Sequence, residues 1–210
     1  MIVYFRRPDQ FLESWFKQGL KNGSGQHDLR SFLAMPVTGP QVFQQKLDLF
    51  ANAFGARNLI VAPYERAQMI GGDIIADFLA RTGLPVPEPD AQGPVGSDSE
   101  NISPTADVML LAGLMRQAFN IGQREIDAVL AASPHDAVAH AGSSILSPDE
   151  AAAIRADYRP LFQDIQQRFG SGAAPDFFLD WGDTGPDRPP SPLRATYDAY
   201  MDMLAQQQAP

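Results

Sequence analysis

The chain opens on an apolar run. Ile2, Val3, Tyr4 and Phe5 stand together with nothing polar between them and read as a short buried strand. A strand with no lead-in points to sequence missing upstream or to a misplaced start codon. Arg6 and Arg7 follow, and Pro8 suits the first position of a helix. Phe11, Leu12, Trp15, Phe16 and Leu20 then make one apolar face at helical spacing, and Gly23 and Gly25 stop it. The next helix covers about residues 40–54, where Phe43, Leu47, Phe50 and Phe54 recur at helical intervals before Gly55. A second buried strand is expected over 58–62. Pro63 ends it, and Tyr64, Glu65 and Arg66 lie just beyond. Ile74, Ile75, Phe78 and Leu79 predict a further helix over 73–81, with Gly83 as its stop.

Residues 83–103 hold four prolines and three glycines, the composition of a long irregular loop. Ser103 and Pro104 read as a cap and first-turn proline for a helix reaching about 120, and another helix is expected over 123–132. Ser147-Pro148-Asp149-Glu150 is a capping box with a proline at the first helical position. Ile154, Tyr158, Leu161, Phe162, Ile165 and Phe169 carry that helix to Gly170, and Pro160 should kink or break it. Residues 171–192 are Gly- and Pro-rich, with Phe177, Phe178 and Trp181 expected to dock on the body. A last helix runs over about 192–205, after which a Gln-rich tail frays.

Two strands against six or more helices make the fold class α/β, helix-rich, with few strands. Strands of buried type alternating with helices suggest a parallel sheet. Two such strands alone are a poor parallel sheet, because both faces want covering. The expectation is therefore extra strands from missing sequence, or a mostly helical protein around a small β remnant. At 210 residues, 44% apolar and 20% charged, the chain is expected to be one domain, 1–210, with 83–103 and 171–192 as its long loops.

The net charge of −9 argues against general nucleic-acid binding but leaves room for one small anion in a local basic pocket. The absence of cysteine removes disulfides, thiol nucleophiles and thiolate metal sites. No apolar run approaches a membrane span, and the start MIVYFRRPDQ is not a signal peptide, so a soluble cytoplasmic protein is expected, with no membrane partner.

Ligands of parallel α/β sheets bind beyond the carboxyl ends of the strands. Arg6 and Arg7 sit beyond the first strand and Tyr64 beyond the second. In a parallel sheet these residues fall on one edge. A guanidinium pair beside a helix start makes an anion site, because the helix N-terminus adds partial positive charge. Ser14, eight residues after Arg6, lies two turns into the helix on its polar side. The same positions also read as surface cations near a helix start and a solvated serine.

The segment Ile2-Val3-Tyr4-Phe5-Arg6-Arg7-Pro8-Asp9-Gln10-Phe11-Leu12-Glu13-Ser14 resembles the 3′-phosphate-binding segment of sulfotransferases. There an arginine at a strand end and a serine eight residues on hold the 3′-phosphate of 3′-phosphoadenosine 5′-phosphosulfate. Phe54-Gly55-Ala56-Arg57-Asn58-Leu59-Ile60-Val61-Ala62-Pro63-Tyr64-Glu65-Arg66 is similar to the family's next strand and its Tyr-Glu pair, whose tyrosine lies near the adenine. The stretch from Gly72 to Leu84 resembles the helix that follows. The resemblance covers about 2–120, more faintly to 170, and favours the bacterial sulfotransferase-like branch. It implies the remnant of a parallel-sheet, P-loop-like sulfotransferase fold. It places Arg6 and Ser14 on the 3′-phosphate and Tyr64 near the adenine of 3′-phosphoadenosine 5′-phosphosulfate or adenosine 3′,5′-bisphosphate.

The family's P-loop-like turn for the 5′-phosphosulfate and its usual catalytic base both precede this segment, and no Gly-x-x-x-x-Gly-Lys loop occurs elsewhere in the chain. No catalytic residue is therefore assigned, and two functions stand side by side. One is a sulfotransferase-like protein acting on an unknown acceptor, with acceptor contacts expected from 83–103 and 171–192. The other is a non-catalytic remnant that binds a partner, or itself as a homodimer, through a bare sheet edge.

Other residues carry less. His27, His135 and His140 lack metal-site spacing, so no metal is expected. Asp176, Asp180, Asp183 and Asp187 read as a solvated acidic loop. Gly142-Ser143-Ser144 is no nucleophile elbow. Glu65 reads as a helix-start acid complementing the helix dipole. Trp15, Phe43, Phe50 and Phe162 read as core.

Overall fold

A computed structural model of the chain describes residues 1–23, 28–86, 104–132, 143–170, 173–182 and 188–208. Two strands, β1 (Ile2–Phe5) and β2 (Ile60–Pro63), accompany the helices α1 (Pro8–Asn22), α2 (Leu29–Leu33), α3 (Pro40–Phe54), α4 (Ile74–Arg81), α5 (Ala106–Phe119), α6 (Gln123–Ala132), α7 (Pro148–Phe169) and α8 (Arg194–Gln208). The expected helix-rich α/β class is observed. The chain divides into two compact units. One takes Met1–Phe11, Gly39–Asp98 and Ala152–Gly185, and the other takes Leu12–Thr38, Ser99–Ala151 and Pro186–Pro210.

In the first unit β1 and β2 pair in parallel, with Ile2 opposite Ile60 and Phe5 opposite Pro63. The second strand starts two residues later than its apolar run suggests. Residues Ala56–Asn58 form a 3₁₀ turn, and the Asn58 side chain donates to the Phe54 carbonyl at 2.9 Å, closing α3. β2 is buried, with Val61 and Ala62 fully so, whereas β1 is half-exposed at all four positions.

Phe162 of α7 centres the aromatic core. Phe5, Phe177, Phe178 and Trp181 all bring ring centroids within 5.6 Å of it. The docking expected of Phe177, Phe178 and Trp181 is thus observed, and all three are buried. Phe43 and Phe50 are only half-buried, so spacing overstated their place in the core.

The helix expected to kink or break at Pro160 continues through it from Pro148 to Phe169. Pro160 and Ala156 both lie on the exposed side. The carbonyl that proline deprives of a donor is thus left to water. Before α4, Asp73 caps the Ile75 and Ala76 amides at 2.9 Å each. Within α4, Asp77 is fully buried and accepts from Tyr4 Oη at 2.7 Å, Arg81 Nε at 2.6 Å and the Ile70 amide at 3.1 Å.

The second unit buries Leu12, Phe16 and Leu20 of α1, Met109 and Leu110 of α5, Ile126 of α6 and Tyr197 of α8. α5 packs on α8 closely enough that a Cβ added at Gly113 would meet Tyr197 at 3.4 Å and Leu20 at 3.3 Å. The short α2 was missed in the sequence because five residues cannot establish a period. It is capped by Asp28, which accepts from the Ser31 amide at 2.8 Å.

The cap of α5 is Thr105, whose hydroxyl accepts from Val108, in place of the expected Ser103. The capping box at Ser147 forms as expected. Glu150 accepts from the Ser147 amide at 2.8 Å and Ser147 from the Glu150 amide at 3.2 Å. α8 begins two residues later than expected, after a turn closed by Arg194 N on the Ser191 carbonyl, and runs on through the glutamines to Gln208. Straight-chain glutamine is a good helix former, which is why the tail does not fray where expected.

Ser144 and Glu13 form a buried polar centre in this unit. Glu13 is 3% exposed and accepts from Lys17 Nζ at 2.6 Å, Arg188 Nη2 at 2.8 Å, Ser144 Oγ at 2.8 Å and the Ile145 amide at 3.2 Å.

Candidate functional site

A parallel pair sends both strand ends to the same rim. Arg6 and Arg7 leave β1 there, and Tyr64, Glu65 and Arg66 leave β2, with the Tyr64 amide still bonded to the Phe5 carbonyl at 2.6 Å. α1 begins at Pro8, so its amino-terminal turn opens beside them, and the Phe11 amide closes that turn on the Arg7 carbonyl at 2.9 Å. Between the strand ends lies a cavity of about 250 Å³. Arg6, Arg7 and Gln10 line one side and Tyr64, Glu65 and Arg66 the other, with Phe178 and Asp180 completing the wall.

The two arginines after β1 have different roles. Arg7 is mostly buried and holds Asp9 with two parallel bonds of 2.8 and 2.9 Å. Its remaining nitrogen reaches Asp180, at 3.2 Å to the carboxylate and 3.3 Å to the carbonyl. Asp9 is itself buried and also takes Arg155 at 3.0 Å. Arg7 is therefore built into the fold. Arg6 is exposed, and its Nε donates to Gln10 Oε1 at 3.4 Å. Tyr64 is 48% exposed, its ring available to a ligand. Ser14 is exposed on α1 one turn beyond Gln10 and belongs to the second unit; it is not among the residues lining the cavity.

Glu65 does not serve as the helix-start acid expected of it. It makes no cap bond to the 3₁₀ turn at Arg66–Gln68. Its carboxylate instead accepts from Gln68 Nε2 at 2.6 Å, the Leu179 amide at 2.8 Å and the Asp180 amide at 2.9 Å. Gln68 completes the grip, donating to the Phe177 carbonyl at 2.9 Å and accepting from the Ala174 amide at 2.7 Å. Segment 173–182 is thus strapped to the rim through its main chain, which places Phe178 and Asp180 in the cavity wall.

Only the aromatic triplet hinted at this wall in the sequence; the main-chain partners of Glu65 lie more than 100 residues away. The Glu65→Gln variant turns one acceptor into a donor facing two amides. Hydrogen exchange at Leu179 and Asp180 should quicken roughly tenfold or more, since a charge-assisted bond contributes about 1.5–3 kcal/mol. Unchanged exchange at those two amides would remove the strap from the description.

Among the described residues no group of three or more His, Asp or Glu side chains gathers as a metal site would require, and no helix is long and apolar enough to cross a membrane. His27, His135, His140, Asp183, Asp187 and most of the expected 83–103 loop lie outside the described residues. No protein-family model, curated protein or solved structure matches the chain.

Proposed function

We propose that this rim binds the 3′-phosphoadenosine portion of a sulfuryl donor, as 3′-phosphoadenosine 5′-phosphosulfate or its product adenosine 3′,5′-bisphosphate. The fold is then the remnant of a P-loop-like sulfotransferase fold, at work in the cytoplasm on an acceptor still to be identified. One observation carries the reading: the parallel register brings Arg6 and Tyr64 to one cavity at the start of α1. Arg6 supplies the exposed guanidinium for the 3′-phosphate, the α1 amino terminus adds its dipole, and Tyr64 offers a face for the adenine. The resemblance assigns Ser14 to the same phosphate, and a Ser14→Ala variant tests that role separately.

Calorimetric titration with adenosine 3′,5′-bisphosphate, against 5′-AMP as control, tests the reading. The bisphosphate should bind and AMP should not. Arg6→Ala should weaken binding at least tenfold, the equivalent of losing one charge-assisted bond. Arg7→Ala should instead lower stability, because it strips two bonds from buried Asp9. No heat with either nucleotide, from folded protein, refutes the proposal.

A second reading rests on β1. It is apolar, half-exposed at every position, and paired on one side only among the described residues. Two copies joined through this edge about a twofold axis would complete the sheet. Light scattering at micromolar concentration should then give a dimer, and a monomer would dismiss it.

A further inference from the structure

A second, smaller cavity adjoins the first, with Arg6 lining both. It measures about 110 Å³. We infer that it is a binding site for the ring of a monocyclic aromatic anion, whose charged group lies at Arg6. The inference goes beyond the nucleotide reading and shares only Arg6 with it.

The walls are aromatic. Phe5 of β1, Phe11 of α1 and Phe43 of α3 stand half-exposed around it, with Tyr158 and Phe162 of α7 buried behind them. These rings brace one another edge to face. Phe11 meets Phe43 at 5.5 Å and 90°, Phe5 meets Phe162 at 5.6 Å and 87°, and Phe43 meets Tyr158 at 5.6 Å and 65°. The hollow is therefore held open by rigid walls, and a further ring entering it finds ready edges and faces.

Three phenylalanines half-exposed in one concavity are costly to leave wet, and burial of apolar surface is the gain on offer to a ligand. Size limits the occupant. An apolar cavity of about 150 Å³ takes benzene, so a slightly smaller one open at its mouth takes a single ring and leaves substituents outside.

Charge selects further. Among the described residues no carboxylate lines this cavity, in contrast to its neighbour with Glu65 and Asp180. The two tyrosines stay neutral. Burial, the bond to Asp77 and its charge push the Tyr4 hydroxyl up, while burial and the Asp157 charge push up that of Tyr158. Arg6 is then the ionised side chain among the described lining residues, and it favours an anion at the mouth.

The experiment compares phenyl phosphate with methyl phosphate by calorimetry on the full chain. Phenyl phosphate should bind at least tenfold more tightly, the difference being the ring. Phe43→Trp adds bulk at a half-exposed wall position and should abolish that advantage while leaving methyl phosphate unaffected, with circular dichroism and an unchanged melting transition confirming that the variant is folded. Arg6→Ala should weaken both. Equal affinity for the two esters, no binding of either, or a phenyl advantage that survives Phe43→Trp each overturns the inference. Binding of adenosine 3′,5′-bisphosphate is scored in the same protein. Phenyl preference without bisphosphate binding keeps this site and discards the nucleotide, and the reverse result does the opposite.

Discussion

The Glu13→Ala variant should lose about 3 kcal/mol of stability in the second unit, the scale expected when a buried ion pair is broken from one side. The carboxylate is buried under Lys17 and Arg188, and it also satisfies the Ser144 hydroxyl and the Ile145 amide. Removing it strands two cations and two buried donors together. The loss sits at the low end of the range because Arg188 reaches water and can rehydrate. Urea unfolding followed by Trp15 reads this unit, and Trp181 reads the other.

Acid supplies a second readout. Burial works against ionisation of Glu13, but the charges of Lys17 and Arg188 and the bonds from Lys17 and Ser144 outweigh it, so the carboxyl is held below the ordinary glutamate value. A depressed value means that Glu13 contributes fully above the unfolded value and loses its contribution as pH falls through the folded one. Glu13→Gln should therefore flatten the acid limb of the stability profile. Wild type and variant losing stability in parallel on acidification would show that Glu13 is not the group responsible.

A loss of similar size is expected from Asp77→Ala, reported by Trp181. Asp77 is fully buried, and three donors converge on its two oxygens. Burial alone would raise its carboxyl, yet the bonds from Arg81, Tyr4 and Ile70 and the Arg81 charge hold it below the ordinary aspartate value. Its stabilisation is likewise present at neutral pH and lost on acidification. Tyr4→Phe removes one neutral donor and should lose only about 1 kcal/mol. If Asp77→Ala proved no worse than Tyr4→Phe, the Arg81 pair would be contributing nothing, as many exposed i, i+4 pairs do.

How much of this was legible in the sequence depends on chain distance. The local signals were read well. The Ser147 box, the α3 span and the two strands are each set by neighbours within a few residues. Arg6 and Tyr64 could be placed on one rim because a single inference, the parallel pairing of two apolar runs, fixes both. What escaped was long-range. Nothing near Glu65 announces that it binds amides of residues 179 and 180, and nothing near Glu13 announces Ser144 or Arg188. That α7 is not broken at Pro160 has a related reason, since whether proline ends a helix depends on whether the orphaned carbonyl meets water, which is a tertiary fact.

The strap has one consequence for how this protein can change over time. Glu65 and Gln68 grip it by the amides of Ala174, Leu179 and Asp180 and the carbonyl of Phe177, with no side chain of the strap involved. Main-chain N–H and C=O groups are common to every residue except proline, which lacks the N–H. The rings of Phe177, Phe178 and Trp181 are buried, and the Asp180 carboxylate is held by Arg7 at 3.2 Å and by the Gly182 amide at 2.7 Å, whereas the outward Leu179 is not held by the grip. The main-chain grip stays in place when the side chain at 180, which lines the larger cavity, is replaced; what such a change gives up is the bonds to Arg7 and Gly182. The backbone of the strap and the chemistry of its cavity-facing side chain can thus vary apart, and Asp180 is the position at which a library aimed at altered ligand choice should begin.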